Sequence, residues 1–299
     1  MPQLTGIFAA AATPLKADYT IDEDKLVDHC RWLLDEGGCD GINLLGTTGE
    51  ATSFSVEQRI AAMRAIAGSG LRMDRFMVGT GAAALDDAVE LTRTASDFGF
   101  AGALLLPPFY YKGIREEALE FYVTTIIKRA CGRDLGLYLY HIPQMSGVSY
   151  SVRVLKSLLV RFPDIIAGVK DSSGDLQHAQ ILTEQLPSLS IFPGSEATLA
   201  RAPNVRFAGC ISGTTNVTGA IVSRGWQMRG KESGAKILQA ALEIRTAIET
   251  FPLIPAVKWL LADVQKEDGW RRVHPPLSGL SDAEWRSLRG RLATMGFFD

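Results

Sequence analysis

Lys170 closes a short apolar run, Ile165-Ile166-Ala167-Gly168-Val169, and so carries a primary amine at the end of a segment with strand character. Apolar surroundings strip water from an amine and disfavour its ammonium form. A neutral lysine can attack a ketone carbon. The competing readings are a lysine that snorkels to solvent or one that pairs with Asp171. Tyr140 closes the preceding run, Leu135–Tyr140, so adjacent parallel strands would set its phenol beside Lys170. A phenol there can pass protons to and from a substrate oxygen, or it can simply pack. Thr47 and Thr48 lie in a glycine-flanked turn, Gly46-Thr47-Thr48-Gly49-Glu50. Such a turn can offer backbone amides and two hydroxyls to a carboxylate, or it can be an ordinary strand-to-helix connection.

These residues need a frame that brings distant segments to one rim. Eight apolar or β-branched runs recur: Gly6–Thr13, Gly41–Gly46, Arg75–Gly81, Gly102–Pro108, Leu135–Pro143, Ile165–Ser173, Leu189–Gly194 and Gly209–Thr214. Amphipathic stretches follow many of them. Asp22–Asp35 puts Leu26, His29, Cys30 and Leu33 on one face, and Val56–Ile66, Asp87–Phe98, Glu116–Ala130 and Val152–Leu159 also read as helices. Strands that alternate with helices, and are apolar on both faces, predict βαβ units and a parallel sheet. Eight units predict an α/β fold of the (β/α)₈ (TIM) barrel type, with its site at the carboxyl ends of the strands. The rival, a doubly wound open sheet, lacks its glycine-rich fingerprint in the first βα turn. Beyond about Gly219 strands stop, and Ser233–Thr250, Pro255–Gln265 and Ser281–Met295 read as helices, the last with a capping box from Ser281 to Glu284. The predicted organisation is a barrel over 1–222 and a C-terminal helical appendage over 223–299.

Composition removes several classes of function. The chain has 299 residues, 46% hydrophobic and 21% charged, with a net charge of −2. That suits a packed core and disfavours disorder. Lysine and arginine are interspersed with acids and form no basic stripe, so a nucleic-acid partner is not expected. No apolar run approaches the ~20 residues that cross a bilayer, and Met1–Ala12 has no basic region ahead of an apolar one. Cys30, Cys39, Cys131 and Cys210 are far apart, form no CxxC pair and read as reduced thiols of a cytoplasmic protein with no metal site.

Taken together, the Gly46–Glu50 string, Pro108-Phe109-Tyr110-Tyr111, Tyr140-X-Ile-Pro-X-X-Ser-Gly and Gly168-Val-Lys-Asp-Ser-Ser-Gly resemble the dihydrodipicolinate synthase and N-acetylneuraminate lyase family over essentially the whole chain. The resemblance implies a Schiff base between Lys170 and the 2-oxo carbon of pyruvate or a longer oxo acid. Tyr140 would be general acid and base, and Thr47 would relay protons between Tyr140 and Tyr110 of a neighbouring subunit. Thr48 and Gly46 would hold the substrate carboxylate. Ser172, Gly194, Ile211 and Ser212 would complete the substrate site, and Glu196 could reach a sugar hydroxyl or be a surface residue at a helix start. No cofactor is implied, since the lysine imine is the electron sink, and a homotetramer built from tight dimers is.

Departures from the family pattern narrow the substrate. The synthase branch carries an arginine where Met145 stands, to grip the carboxylate of aspartate semialdehyde. Losing it should cost roughly 1.5–3 kcal/mol per hydrogen bond to the charged group. Met145 therefore favours cleavage of a 2-oxo-3-deoxy sugar acid, or a related 4-hydroxy-2-oxo acid, to pyruvate and an aldehyde. The alternatives are the synthase reaction, with another cation in place of the arginine, a dehydratase on a similar imine, and a non-catalytic 2-oxo acid binding module. His141, in place of a common asparagine, reads as a satisfied histidine or a substrate contact, and His274 as structural.

Overall fold

The eight apolar runs form eight strands in the computed structural model, which describes residues 3–132 and 134–298. They are β1 (Gly6–Ala10), β2 (Gly41–Leu44), β3 (Phe76–Gly79), β4 (Gly102–Leu105), β5 (Gly136–His141), β6 (Ile166–Asp171), β7 (Ser190–Pro193) and β8 (Gly209–Ser212). Every residue in them is buried, as near-continuous apolar runs require when both faces are covered. All pairings are parallel, in the order β7-β6-β5-β4-β3-β2-β1-β8. Across the remaining seam the Ala208 N–H donates to Ile191 O at 2.9 Å, next to β8. The expected (β/α)₈ barrel is the fold.

Helices α1 (Glu23–Asp35), α2 (Val56–Ala67), α3 (Leu85–Asp97), α4 (Glu116–Ala130), α5 (Pro143–Ser146), α6 (Val152–Arg161), α7 (Leu176–Gln185), α8 (Ala197–Arg201) and α9 (Thr215–Gln227) fill the connections. Leu26, His29, Cys30 and Leu33 are the buried face of α1, as their spacing demands, and Asp22 caps its first turn through Lys25 N. Three barrel helices were not legible in the sequence. In α7 only Ala179 and Leu182 are buried, α8 is five residues long, and α9 is rich in Thr, Ser and Gly. The α9 glycine Gly219 is needed for close approach: a Cβ there would lie 2.3 Å from Gly37 O.

Side-chain alternation along the strands separates two cores. Leu137, Leu139 and Val169 point outward to the helix layer. Phe8, Met77, Leu104, Tyr138, Phe192 and Ile211 fill the barrel interior, with Phe192 edge-on to Phe8 at 5.7 Å. This plug is a floor on which the last inward residues of each strand stand. After α9 come α10 (Glu232–Ile248), α11 (Leu253–Val264) and α12 (Asp282–Thr294), the last started by the expected Ser281–Glu284 capping box. They share a core of Ile248, Leu260, Trp285, Leu288 and Leu292. No helix among the described residues is long and apolar enough to cross a membrane.

Candidate active site

Register pairs Tyr140 directly with Lys170 at the ends of β5 and β6. Period-two alternation turns both side chains inward, above the plug. Lys170 is 3% exposed, and its Nζ lies 4.3 Å from the centroid of the Tyr140 ring. It neither reaches bulk water nor pairs with Asp171. That neighbour points the other way, where Asp171 Oδ1 accepts from Ser173 N (2.9 Å) and Oγ (2.6 Å) and Oδ2 pairs with His178 Nδ1 (2.8 Å).

The threonine turn closes on the same phenol. Thr47 Oγ1 and Tyr140 Oη lie 3.3 Å apart. Burial alone would raise the Tyr140 pKa. The nearby Lys170 charge and hydrogen bonds to Thr47, Ser172 and Lys170 outweigh it, and the phenol sits below its ordinary value of 10.0. A phenol so placed is better suited to proton exchange near neutrality than a free tyrosine.

Lys170, Tyr140, Thr47, Thr48, Ser172, Gly194 and Met145 line one cavity of about 370 Å³. Gly194 must be glycine, since a Cβ there would meet Ser172 Oγ at 1.9 Å. Gly46 lies beside this space, in an apolar chamber of about 150 Å³ that shares Thr47, Tyr140, Ile142 and Met145 with it. Met145 is 62% exposed and leaves the cavity's edge apolar at that point.

Three expected substrate contacts lie off the wall. Ile211 belongs to the plug. Ser212 gives its hydroxyl to Glu196 Oε2 at 2.5 Å. Glu196 is 0% exposed, so it is not a surface residue at a helix start. Its oxygens also accept from Thr214, from Thr218 (3.1 Å) and from Arg245 Nη1 (2.8 Å), which leaves no lone pair aimed at a sugar hydroxyl. Burial would raise its pKa, but Arg245 and the Ser212 and Thr214 hydroxyls win, and it stays below the usual carboxyl range. Tyr110 is 74% exposed and reaches nothing in its own site.

Sequence reasoning missed Arg245, Glu249, Arg201, Gln144 and Thr198, all on the cavity wall. The i to i+4 spacing of Arg245, in the last turn of α10, and Glu249, its C-cap, was the available signal for one ion pair (2.6 Å).

His141, Asp171 and His178 offer ligand-type atoms within 4.8 Å of one another. His141 Nδ1, however, accepts the Tyr150 N–H at 3.1 Å, which puts the ring proton on Nε2. With both Asp171 oxygens also engaged, the group is a hydrogen-bonded brace behind Lys170 and Tyr140. Its two rings stack at 4.5 Å.

The profile of the dihydrodipicolinate synthetase family matches residues 3–293. An uncharacterized DapA-like lyase of Chloroflexus aurantiacus is 33% identical over 97% of this chain and 96% of its own. A 4-hydroxy-tetrahydrodipicolinate synthase of Cellvibrio japonicus is 32% identical over 86% and 87%. The crystal structure of dihydrodipicolinate synthase from Agrobacterium tumefaciens superposes with a TM-score of 0.87, at 30% identity, over 97% of this chain and 99% of that one. The chain therefore belongs to the dihydrodipicolinate synthetase family, whose members are carbon–carbon lyases of the aldolase type that use a lysine Schiff base and no external cofactor.

Proposed function

We propose that the protein cleaves a 2-oxo-3-deoxy sugar acid, or a related 4-hydroxy-2-oxo acid, to pyruvate and an aldehyde. The observation that carries this reading is the Lys170 amine held over the Tyr140 ring, with Thr47 on the phenol, at the mouth of the barrel. Lys170 Nζ adds to the C2 carbonyl and water leaves, with Tyr140 exchanging the protons. The iminium draws the electron pair of the C3–C4 bond. The C4 hydroxyl gives its proton to Tyr140 as the aldehyde departs. The enamine is protonated at C3, and hydrolysis of the imine returns pyruvate and free lysine.

The cavity wall fits a hydroxylated tail. Ser172, Ser195, Thr198 and Gln144 supply hydroxyls and an amide, while Met145 offers no charge. The test is pyruvate release from a panel of 4-hydroxy-2-oxo acids with hydroxylated tails. Turnover of aspartate semialdehyde with pyruvate, and none of the panel, sinks the reading.

One observation favours the synthase as a second reading. Arg201 lines the same cavity and has no carboxylate partner among the described residues. Such a cation could hold a second carboxylate in place of an arginine at position 145. Arg201→Gln is expected to raise KM for an acidic-tailed substrate about 10-fold, the scale of one charge-assisted hydrogen bond, and to leave a neutral-tailed one unchanged. Steady-state kinetics on both decide between the readings.

Tyr110 and Tyr111, edge-to-face at 5.3 Å, project from the loop between β4 and α4. We place Tyr110 in the site of a second copy, beside Thr47 and Tyr140, within a homotetramer of tight dimers. Tyr110→Phe should then lower kcat about 10- to 100-fold with an unchanged mass by light scattering; wild-type kcat removes it from the relay. The four cysteines are free, and we place the enzyme in the cytoplasm. The barrel, with α10–α12 as its appendage, is one working unit.

A further inference from the structure

Glu50, the last residue of the threonine turn, is fully buried and sits in the left-handed region at φ 56°. A side chain with a Cβ adopts that conformation rarely, and only where its surroundings impose it. Here the constraint comes from the far end of the chain. Glu50 Oε1 accepts from Lys258 Nζ on α11 at 2.6 Å, and both side chains have 0% exposure. Glu50 Oε2 accepts from the backbone N–H of His274 at 2.6 Å. The His274 ring packs edge-on to Phe54 (5.3 Å) and Tyr19 (6.1 Å), which fixes that amide. The turn is tied down on its other side as well, since Thr13 Oγ1 donates to Gly49 O at 2.8 Å and Glu50 N donates to Thr47 O at 3.0 Å.

A lysine with no exposure inside an apolar helix is costly unless its partner is fixed. Lys258 lies in Pro255–Leu261, an otherwise apolar stretch of α11. A methionine there would pack as well, so the charge is explained by what it holds. Building on the Schiff-base reading above, we propose that Glu50 is a positioning residue. Lys258 and the His274 amide clamp its carboxylate so that the C-terminal appendage sets the placement of Thr47 on the Tyr140 phenol. Neither Glu50 nor Lys258 touches the substrate.

The test uses full-length protein and the double variant Glu50→Gln/Lys258→Met. Replacing a buried ion pair by well-packed hydrophobic residues of similar volume is often neutral for stability. Here Met fills the lysine's place and Gln keeps an acceptor oxygen for the His274 N–H, so this variant is expected to fold. Pyruvate-dependent borohydride capture at Lys170 should persist, and KM should stay within about 3-fold of wild type. The value of kcat should fall about 10- to 100-fold, the scale of a small misplacement of a reacting group. The basic limb of the kcat profile should move to higher pH, because Tyr140 loses its hydrogen bond to Thr47. A purely structural pair would leave that limb in place. Amide exchange across residues 46–51 should quicken in the same protein, a readout that needs no turnover. A folded double variant with wild-type kcat, basic limb and exchange overturns the proposal.

Should the double variant fail to fold, Glu50→Asp keeps the charge but is too short to reach both partners. It is judged by the same signature, and wild-type kinetics and exchange in it overturn the clamp. Absence of a pyruvate adduct on wild-type Lys170 would instead sink the Schiff-base reading, while the exchange measurement still decides on the clamp.

Discussion

Lys170→Ala is expected to abolish turnover, with a loss on the order of 10⁴- to 10⁶-fold, the scale of deleting a covalent nucleophile. The imine is the only electron sink the mechanism has. Without it the C3–C4 bond must break toward an unactivated ketone. Fold should survive, because the Nζ makes no ion pair among the described residues and the side chain stands on the plug, outside the helix-facing core. Treatment of wild type with pyruvate and borohydride should add one reduced pyruvyl group to Lys170, located by peptide mass, and none in the variant. A variant that retains more than a tenth of wild-type activity rules the mechanism out.

Tyr140→Phe should separate imine formation from the steps that follow. Phenylalanine keeps the ring under Lys170 and removes only the oxygen that Thr47 contacts. The expected loss in kcat is about 10²- to 10⁴-fold, the range for a general acid–base group. Borohydride capture of pyruvate should slow but remain measurable. The phenol of wild type sits below 10.0, so the basic limb of kcat, where the phenol is lost as an acid, should lie below that of ordinary tyrosine. The limb should vanish in Tyr140→Phe. A basic limb that survives unchanged assigns it to another group.

Much of this site was readable because strand geometry is local. Lys170 and Tyr140 each end an apolar run, parallel pairing makes them neighbours, and a period of two turns both inward. What could not be read depends on contacts between distant segments. Glu196 follows β7 and looks like a solvated helix start until Arg245, 49 residues later, is seen beside it. Lys258 and Glu50 are 208 residues apart. Nothing in either local pattern announces the other. The unread helices fail for a different reason. Apart from Val222, the buried face of α9 is made of Thr, Asn, Gly and Ser, which carry no apolar periodicity, and at Gly219 close backbone approach does the work that large side chains do elsewhere. The role proposed for Tyr110 rests on the family resemblance alone, since one copy of the chain leaves it in solvent.

The Glu196–Arg245 pair has a consequence for biosynthesis. Ribosomes add about 5–20 residues per second. The 49-residue interval between acid and guanidinium therefore lasts roughly 2–10 s. Throughout it the nascent barrel holds a carboxylate whose counterion has not yet been made. Desolvating that oxygen alone is unfavourable, so the rim should stay hydrated until α10 emerges and only then dry shut. A gene shortened after α9 would leave the protein stranded at that stage.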